Sequence, residues 1–356
     1  MIRLELEKRE IATLSPWAAK AAYSQGRAVN EEEDPLRTCY MRDRDRVIHS
    51  KAFRRLKHKT QVYISPGNDH YRTRLTHTLE VCQIAKTIGR GLGLNEDLIE
   101  AIALAHDVGH TPFAHTGEEV LNRLCTNGFK HNQNSVRVLT KIEQRSNGRE
   151  GLNLTKEVLD GVLHHSGYGK SKEAASTLEG QIIRFSDKIA YVQHDIDDSI
   201  RAGILKEENL PKEFTEVLGH SHSARITTLV MDLVESGRQM MQEAKEGENL
   251  LLTFSEPIDQ ALQGLRKFMF DNVYRGNVCF AERKRATIIV EFLFGYFLEN
   301  PQQMPQVYQN IADVEGVEQA VVDFISGMTD NYCVDMFMEL TIPKAFLHKE
   351  QGLIDE

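Results

Sequence analysis

The segment Leu98–His110, LIEAIALAHDVGH, places the tightest constraint on how this chain folds. Leu98, Ile102 and Ala105 recur at helical spacing, so the helix buries that stripe. Its apolar body ends in the adjacent pair His106 and Asp107, which go inward with it. A buried carboxylate beside an imidazole is costly unless something pairs with both. A cation would do so. Asn95 supplies an N-cap with Glu96 and Asp97 in the first turn, and Gly109 and Pro112 end the run.

The preceding stretch, 73–92, sets Leu75, Leu79, Cys82, Ile88 and Leu92 near one face of another helix. The link Gly93-Leu94-Asn95 is short enough to force the two helices antiparallel. His77 stands about 17 positions before that turn and His106 about 12 after it, so their depths roughly agree. A fourth polar group comes from QIIRFSDKIAYVQHDIDD, where Asp187 interrupts an apolar helix. Tyr191 and Asp195 follow at i+4 and i+8 and share its face. His77, His106, Asp107 and Asp187 form a nitrogen and oxygen donor set suited to one divalent ion, Mn, Mg, Fe, Ni or Co, with positions open to water and substrate. A closed zinc site would more often use cysteine.

The remaining pattern is helical. Runs near 116–125, 131–143, 155–165 and 177–200 are followed by at least five more up to about 340. Strand alternation is nearly absent, and no repeat or low-complexity tract appears. The expected fold is all-α, a helical bundle with a helical C-terminal extension. Residues 1–36 read as an irregular arm, 37–205 as the core bearing the chemistry, and 206–356 as helices packed on it. Pro66-Gly67-Asn68-Asp69 signals a turn or short hairpin, 144–153 and 166–176 read as exposed loops, and Ala286–Leu298 reads as a buried helix too short for a bilayer. The start MIRLELEKRE lacks the apolar core of a signal peptide.

Net charge is −9 over 356 residues, which disfavours a protein that coats nucleic acid; small anions fit better. The basic stretch 42–59 leaves room for weak single-strand binding. Five scattered cysteines with no CxxC pair indicate neither a disulfide framework nor a zinc knuckle, and fit a reducing, cytoplasmic setting. Eight of the fourteen histidines fall between His49 and His131.

The order H…HD…D resembles the HD-domain superfamily of metal-dependent phosphohydrolases. RDRDRVIHSKAFRRLKHKTQV, GNDHYRTRLTHTLEV, IALAHDVGHTPFAHTGEEVLN, FKHNQNSVRVL and SDKIAYVQHDIDD, in that order, resemble the deoxyguanosinetriphosphate triphosphohydrolase-like family, densely over 37–205 and loosely beyond. The resemblance implies hydrolysis of deoxynucleoside triphosphates to deoxynucleoside and tripolyphosphate. It implies metal ligands His77, His106, Asp107 and Asp187, and catalytic His115 and Glu118, with the acid or base role of His115 open. It places His110 and His131 near the phosphates, Gln61, Tyr191 and Asp195 at the sugar, and Arg54, Arg55, Lys57 and Arg74 as candidate triphosphate contacts. The family pattern has Gly where this chain has Ala114, whose methyl group would narrow the approach to substrate. The family's habits further imply a homo-oligomer built on dimers, up to a hexamer, and an allosteric nucleotide. Two other readings stay open: another HD phosphohydrolase, such as a 5′-nucleotidase or phosphodiesterase, and a non-enzymatic binder of nucleotides or single strands.

Overall fold

Thr73 and Gly93 bracket the helix that carries His77. In the computed structural model, which describes residues 1–61, 72–145, 148–167, 173–245, 247–274 and 277–343, helix α4 spans Arg74–Leu92. The Thr73 hydroxyl accepts from Thr76 N–H, and Thr76 returns a bond to the Thr73 N–H, a reciprocal cap. Gly93 ends the helix at φ 68°, a left-handed conformation open to glycine at little cost. The Asn95 side chain then accepts from Asp97 and Leu98 N–H and starts α5, Glu96–Ala105. The pair is antiparallel, because His77 and His106 lie on opposite sides of this turn yet their rings stand 5.9 Å apart.

Sixteen α-helices occur among the described residues, with three isolated β-bridges and no sheet. Around α4 and α5 pack α2 (Cys39–His49), α8 (Lys156–His164), α9 (Leu178–Arg201) and α11 (His222–Glu243), and α12 (Glu256–Met269) packs on α9. Ile84, Ile88, Ile99, Ile102, Ile182, Ile183, Leu233 and Leu265 are buried in this first core. Each full burial of such a side chain contributes about 1.5–3 kcal/mol before entropy is set against it. A second core forms around α6 (Ala114–Leu124). Its Val120 and Leu121 meet Val290, Leu293 and Phe297 of α13 (Asn277–Glu299), and Val321, Phe324 and Ile325 of α15 (Val317–Ser326). Helices α14 (Gln306–Glu315) and α16 (Asp330–Thr341) complete this second group.

The region 206–356 is therefore shared between the two cores rather than laid on one. Residues through Val273 join the first, and the helices from α13 onward enclose α6. The loop 106–113 crosses the seam between them, with Val108 in one core and Phe113 in the other.

Two expectations are corrected. The N-terminal stretch is not wholly irregular: α1 spans Ile2–Thr13. It buries only Glu7 and has no apolar stripe to announce it. Polar ties hold it instead, with Arg3 paired to Glu7 at 2.6 Å and the Glu10 carboxylate accepting from Ala21 N–H at 2.8 Å. The run Ala286–Leu298 is helical but buried on one side only: Ala286, Val290, Leu293 and Phe297 point inward while Ile288 and Leu298 are exposed. No described helix is long and apolar enough to cross a membrane. The turn at 66–69 and the stretch 168–172 of the loop 166–176 lie outside the described residues.

Candidate metal centre and active site

Three helices deliver the four expected ligands to one place. Nε2 of His77, from α4, lies 3.0 Å from Oδ1 of Asp187, from α9. Nε2 of His106, just past the end of α5, is 3.7 Å from Oδ2 of Asp107 and 4.0 Å from Oδ1 of Asp187. Nδ1 of His106 donates to the Ala103 carbonyl at 2.6 Å, which fixes the tautomer and aims a bare Nε2 inward. That Nε2 is buried with no hydrogen-bond partner. An orphaned imidazole lone pair between two carboxylates is what a divalent cation would satisfy, so the donor set fits such an ion.

The electrostatics agree. Burial opposes ionisation of Asp107, yet His106 and the Arg74 guanidinium, 2.6 Å away, hold its carboxyl well below the usual range. Burial likewise opposes ionisation of Asp187, and His77 overcomes it. Both groups are therefore anionic. HD domains bind divalent metals, and this cluster has the geometry to hold one.

The loop that displays this pair has its backbone held at almost every step. Gly109 N–H donates to Ser135 Oγ, which donates to the His106 carbonyl, and Asn134 Nδ2 donates to the Gly109 carbonyl. A Cβ on Gly109 would come within 2.1 Å of Ser135 N, so only glycine lets α7 (His131–Arg137) lie this close. Lys59, wholly buried, donates to the His110 carbonyl and, at 2.8 Å, to the Ser326 carbonyl. Asp330 accepts from Phe113 N–H at 3.0 Å and from Thr60 N–H at 2.9 Å. The second core thus braces the loop through Ser326 and Asp330.

Phe113 and Ala114 follow at φ 59° and 54°, two consecutive non-glycine residues in the left-handed region. Each costs of order 1–2 kcal/mol. This backbone sets His115 at the rim, its side chain 54% exposed, with Nδ1 3.7 Å from Glu118 and its ring edge-on to Tyr191 at 5.9 Å.

Behind it the histidines form a chain. Glu118 accepts from Nδ1 of His131 at 2.9 Å. Nε2 of His131 is 3.2 Å from Nε2 of His165, whose Nδ1 donates to the Val162 carbonyl. A neutral His165 with its proton on Nδ1 can only accept at Nε2, so His131 donates at both nitrogens and is an imidazolium. Burial lowers the His131 value, but the Glu118 carboxylate raises it overall; burial pushes His165 down to about 3. His110 stacks on His131 at 4.6 Å and is held neutral by burial and by Arg74. Glu118 is far below the usual carboxylate range: burial opposes this, and His115 and His131 prevail.

These groups line one cavity of about 780 Å³. Gln61, Arg74, His77, Asp107, His110, His115, Glu118, His131, Asp187 and Tyr191 are all in its wall. Three candidates are not, and one of them, His106, is fully buried beside Asp107. Arg54 is exposed on α3 (Lys51–Arg55), which buries Ala52, so its charge points to solvent rather than to the cavity. Asp195 is 1% exposed on α9 and is not in the cavity wall, although Tyr191 and Val192 before it and Ala202 and Ile204 after it are. Of the other basic candidates, Lys57 is exposed and Arg55 faces Glu143 at 3.7 Å. The basic stretch is also largely ion-paired: Arg42 and Arg46 with Glu31, Arg44 with Asp45 and Asp97.

The wall contains residues that the motif reading passed over: His165, Lys130, Lys188, Arg266, Phe270 and Arg283. His165 carried a readable signal, a histidine closing a helix whose Val158 and Val162 face inward, the same anomaly that marks His106. Lys188, pushed down to about 8 by burial, sits beside Asp187 in sequence. Arg266 and Phe270 come from beyond residue 205, where no motif pointed.

Comparison with known proteins agrees with this geometry. An HD domain matches residues 74–192, and a phosphohydrolase-associated domain matches 252–339, the stretch that contributes Arg266, Phe270 and Arg283. A deoxyguanosinetriphosphate triphosphohydrolase-like protein of Clostridium tetani is 55% identical over 98% of both chains. Proteins of the same description from Clostridium perfringens (54% identical, 98% of this chain and 99% of that one) and Caldanaerobacter subterraneus (50%, 99% of both) are similar throughout. Identity at this level over the whole length places this chain in the deoxyguanosinetriphosphate triphosphohydrolase-like family of HD-domain phosphohydrolases.

Proposed function

We propose that this protein hydrolyses deoxynucleoside triphosphates at the α-phosphorus, releasing deoxynucleoside and inorganic tripolyphosphate. The observation that carries the reading is the cavity of about 780 Å³ whose wall holds His77, Asp107 and Asp187, with His106 buried beside them, together with further histidines and cationic side chains. That volume lies within the range of small-molecule sites. The names of the relatives support a nucleoside triphosphate as its occupant.

His77, His106, Asp107 and Asp187 would hold one divalent ion, Mn, Mg, Fe, Ni or Co. When bound, it supplies a Lewis acid for a phosphoryl oxygen and lowers the pKa of water. The protein's own groups do the rest. Arg74, Lys188, Arg266 and the His131 imidazolium line the cavity as cations for a polyanion. Glu118 fixes His131 and orients His115, as carboxylates orient catalytic imidazoles. His115 is the exposed imidazole at the rim and exchanges the proton at the 5′-oxygen. Tyr191 packs where deoxyribose would lie. Gln61, in the cavity wall, and Asp195, two turns beyond Asp187 on α9, would take the sugar hydroxyl.

Anion-exchange separation of products from each of the four dNTPs with Mn²⁺ or Mg²⁺ tests the reading. Equal amounts of deoxynucleoside and tripolyphosphate are expected. Orthophosphate from deoxynucleoside monophosphates, with no tripolyphosphate under any metal, would replace it with a nucleotidase. Nucleotide binding without any product would replace it with a sensor.

A further inference from the structure

Behind His77, on the side away from Asp187, lies a polar cluster that the cavity does not use. Nε2 of His77 faces Asp187, while its Nδ1 is buried with no hydrogen-bond partner. The other imidazole of the centre lacks this gap, because Nδ1 of His106 donates to the Ala103 carbonyl. Three residues after His77 on α4, and so on the same face, comes Glu80. Ligand-type atoms of His77, Glu80 and His194 all lie within 4.8 Å of one another.

Glu80 is gripped from two directions. Arg72 Nε donates to its Oε1 at 3.0 Å, and Nδ1 of His194 is 2.9 Å from its Oε2. Arg72 in turn pairs with Asp197 at 3.0 Å and with Asp198, and the His194 ring stacks on His222 of α11 at 5.4 Å. The carboxylate is thus fixed by the lead-in to α4 and by α9, the helix that carries Asp187. It is absent from the cavity wall.

An imidazole that ligates through Nε2 carries its proton on Nδ1, and that proton needs an acceptor. A carboxylate there fixes ring orientation and tautomer and raises the basicity of the ligating nitrogen. We propose that Glu80 is the positioning residue for His77, held in place by Arg72 and His194, so that removing it weakens divalent-metal binding although it touches neither metal nor substrate. This rests on the metal-centre reading above.

The test compares full-length wild type, Glu80→Gln, Glu80→Ala, His194→Gln and Asp187→Asn. Mn²⁺ affinity is measured by chelator competition, and the Co²⁺ form gives a visible spectrum. We expect Glu80→Ala to lose roughly 10- to 100-fold in affinity. Glu80→Gln, which keeps an acceptor without the charge, should lose less, and His194→Gln should fall between that variant and wild type. The Co²⁺ bands of Glu80→Ala should shift, because the ligand orientation changes rather than the ligand number. Glu80→Gln guards against misfolding, since it preserves shape. If the wild type binds no metal, the underlying reading fails. If it does, and the Glu80 variants keep wild-type affinity and spectrum, this inference alone is overturned. A wild type with two ions, reduced to one of unchanged affinity in Glu80→Gln, would also overturn it, by making Glu80 a ligand of a second cation.

Discussion

Nε2 of His131 lies 3.2 Å from Nε2 of His165, and the proton between them belongs to His131 because His165 has committed its own to the Val162 carbonyl. The two buried rings therefore respond to acid in opposite senses. His131 is raised by Glu118, so its stabilising effect is present below about pH 6.5 and is lost as pH rises through its folded value. Glu118 is depressed, so its contribution is present above about pH 4.3 and is lost as pH falls through its folded value. The pair is at full strength between those limits. His165, held to about 3, stays neutral when the unfolded chain would take up a proton, so it costs stability below about pH 6.5. Urea denaturation in EDTA at pH 5 and pH 7.5 should show His131→Gln losing more at pH 5, and His165→Gln losing less there than wild type does. Parallel pH profiles for the two variants would contradict the proton assignment.

The His115–Glu118 pair predicts a kinetic signature. His115→Ala should lower kcat by about 10²–10⁴-fold with little change in KM, because a proton donor or acceptor acts on the transition state. Glu118→Gln should fall by a smaller factor and should also flatten the pH dependence. A His115→Ala variant that changes KM alone would assign this residue to binding.

Asp330 closes the loop that carries these groups. Its two oxygens accept from Phe113 and Thr60 N–H, across more than 200 residues of sequence. Asp330→Ala leaves both donors unsatisfied and should destabilise the protein by roughly 2–4 kcal/mol. Asp330→Asn retains one acceptor and should lie between. Equilibrium denaturation measures both, and a neutral Asp330→Ala would show that the second core does not brace the loop.

How much of this was legible in the sequence depends on how far the signal reaches along the chain. The α4–α5 pair was readable because its cap, its left-handed glycine and its apolar stripe are local, and equal depth either side of Gly93 aligned His77 with His106. Asp187 was found as a charge in an apolar helix. Helical periodicity puts Asp195 on the Asp187 face of α9 but does not say whether its side chain reaches the cavity. A run of basic residues does not say which one turns inward: Arg54 is exposed and Lys59 is buried. Helix α1 was missed because ion pairs, not burial, hold it. The second core around α6 was invisible because its contacts join segments some 170 residues apart, and Arg283 of α13 reaches the cavity by that route, while Arg266 and Phe270 come with α12 of the first core.

Ala114 carries a backbone cost that its side chain does not offset. At φ 54° a glycine is at ease and an alanine is strained. Ala114→Gly should stabilise the protein by about 0.5–1 kcal/mol and widen the approach to His115, whereas Ala114→Val should destabilise it. Thermal unfolding of the three forms checks the order, and a less stable Ala114→Gly would place the strain elsewhere.

The central claim is that four side chains from three helices converge on one divalent ion. Crystals grown with Mn²⁺ and measured at an anomalous wavelength test it directly. The account predicts one strong peak within bonding distance of His77 Nε2, His106 Nε2 and the carboxylates of Asp107 and Asp187. A peak seated only on another cluster, such as His110, His131 and Glu118, or none at saturating metal, would contradict it.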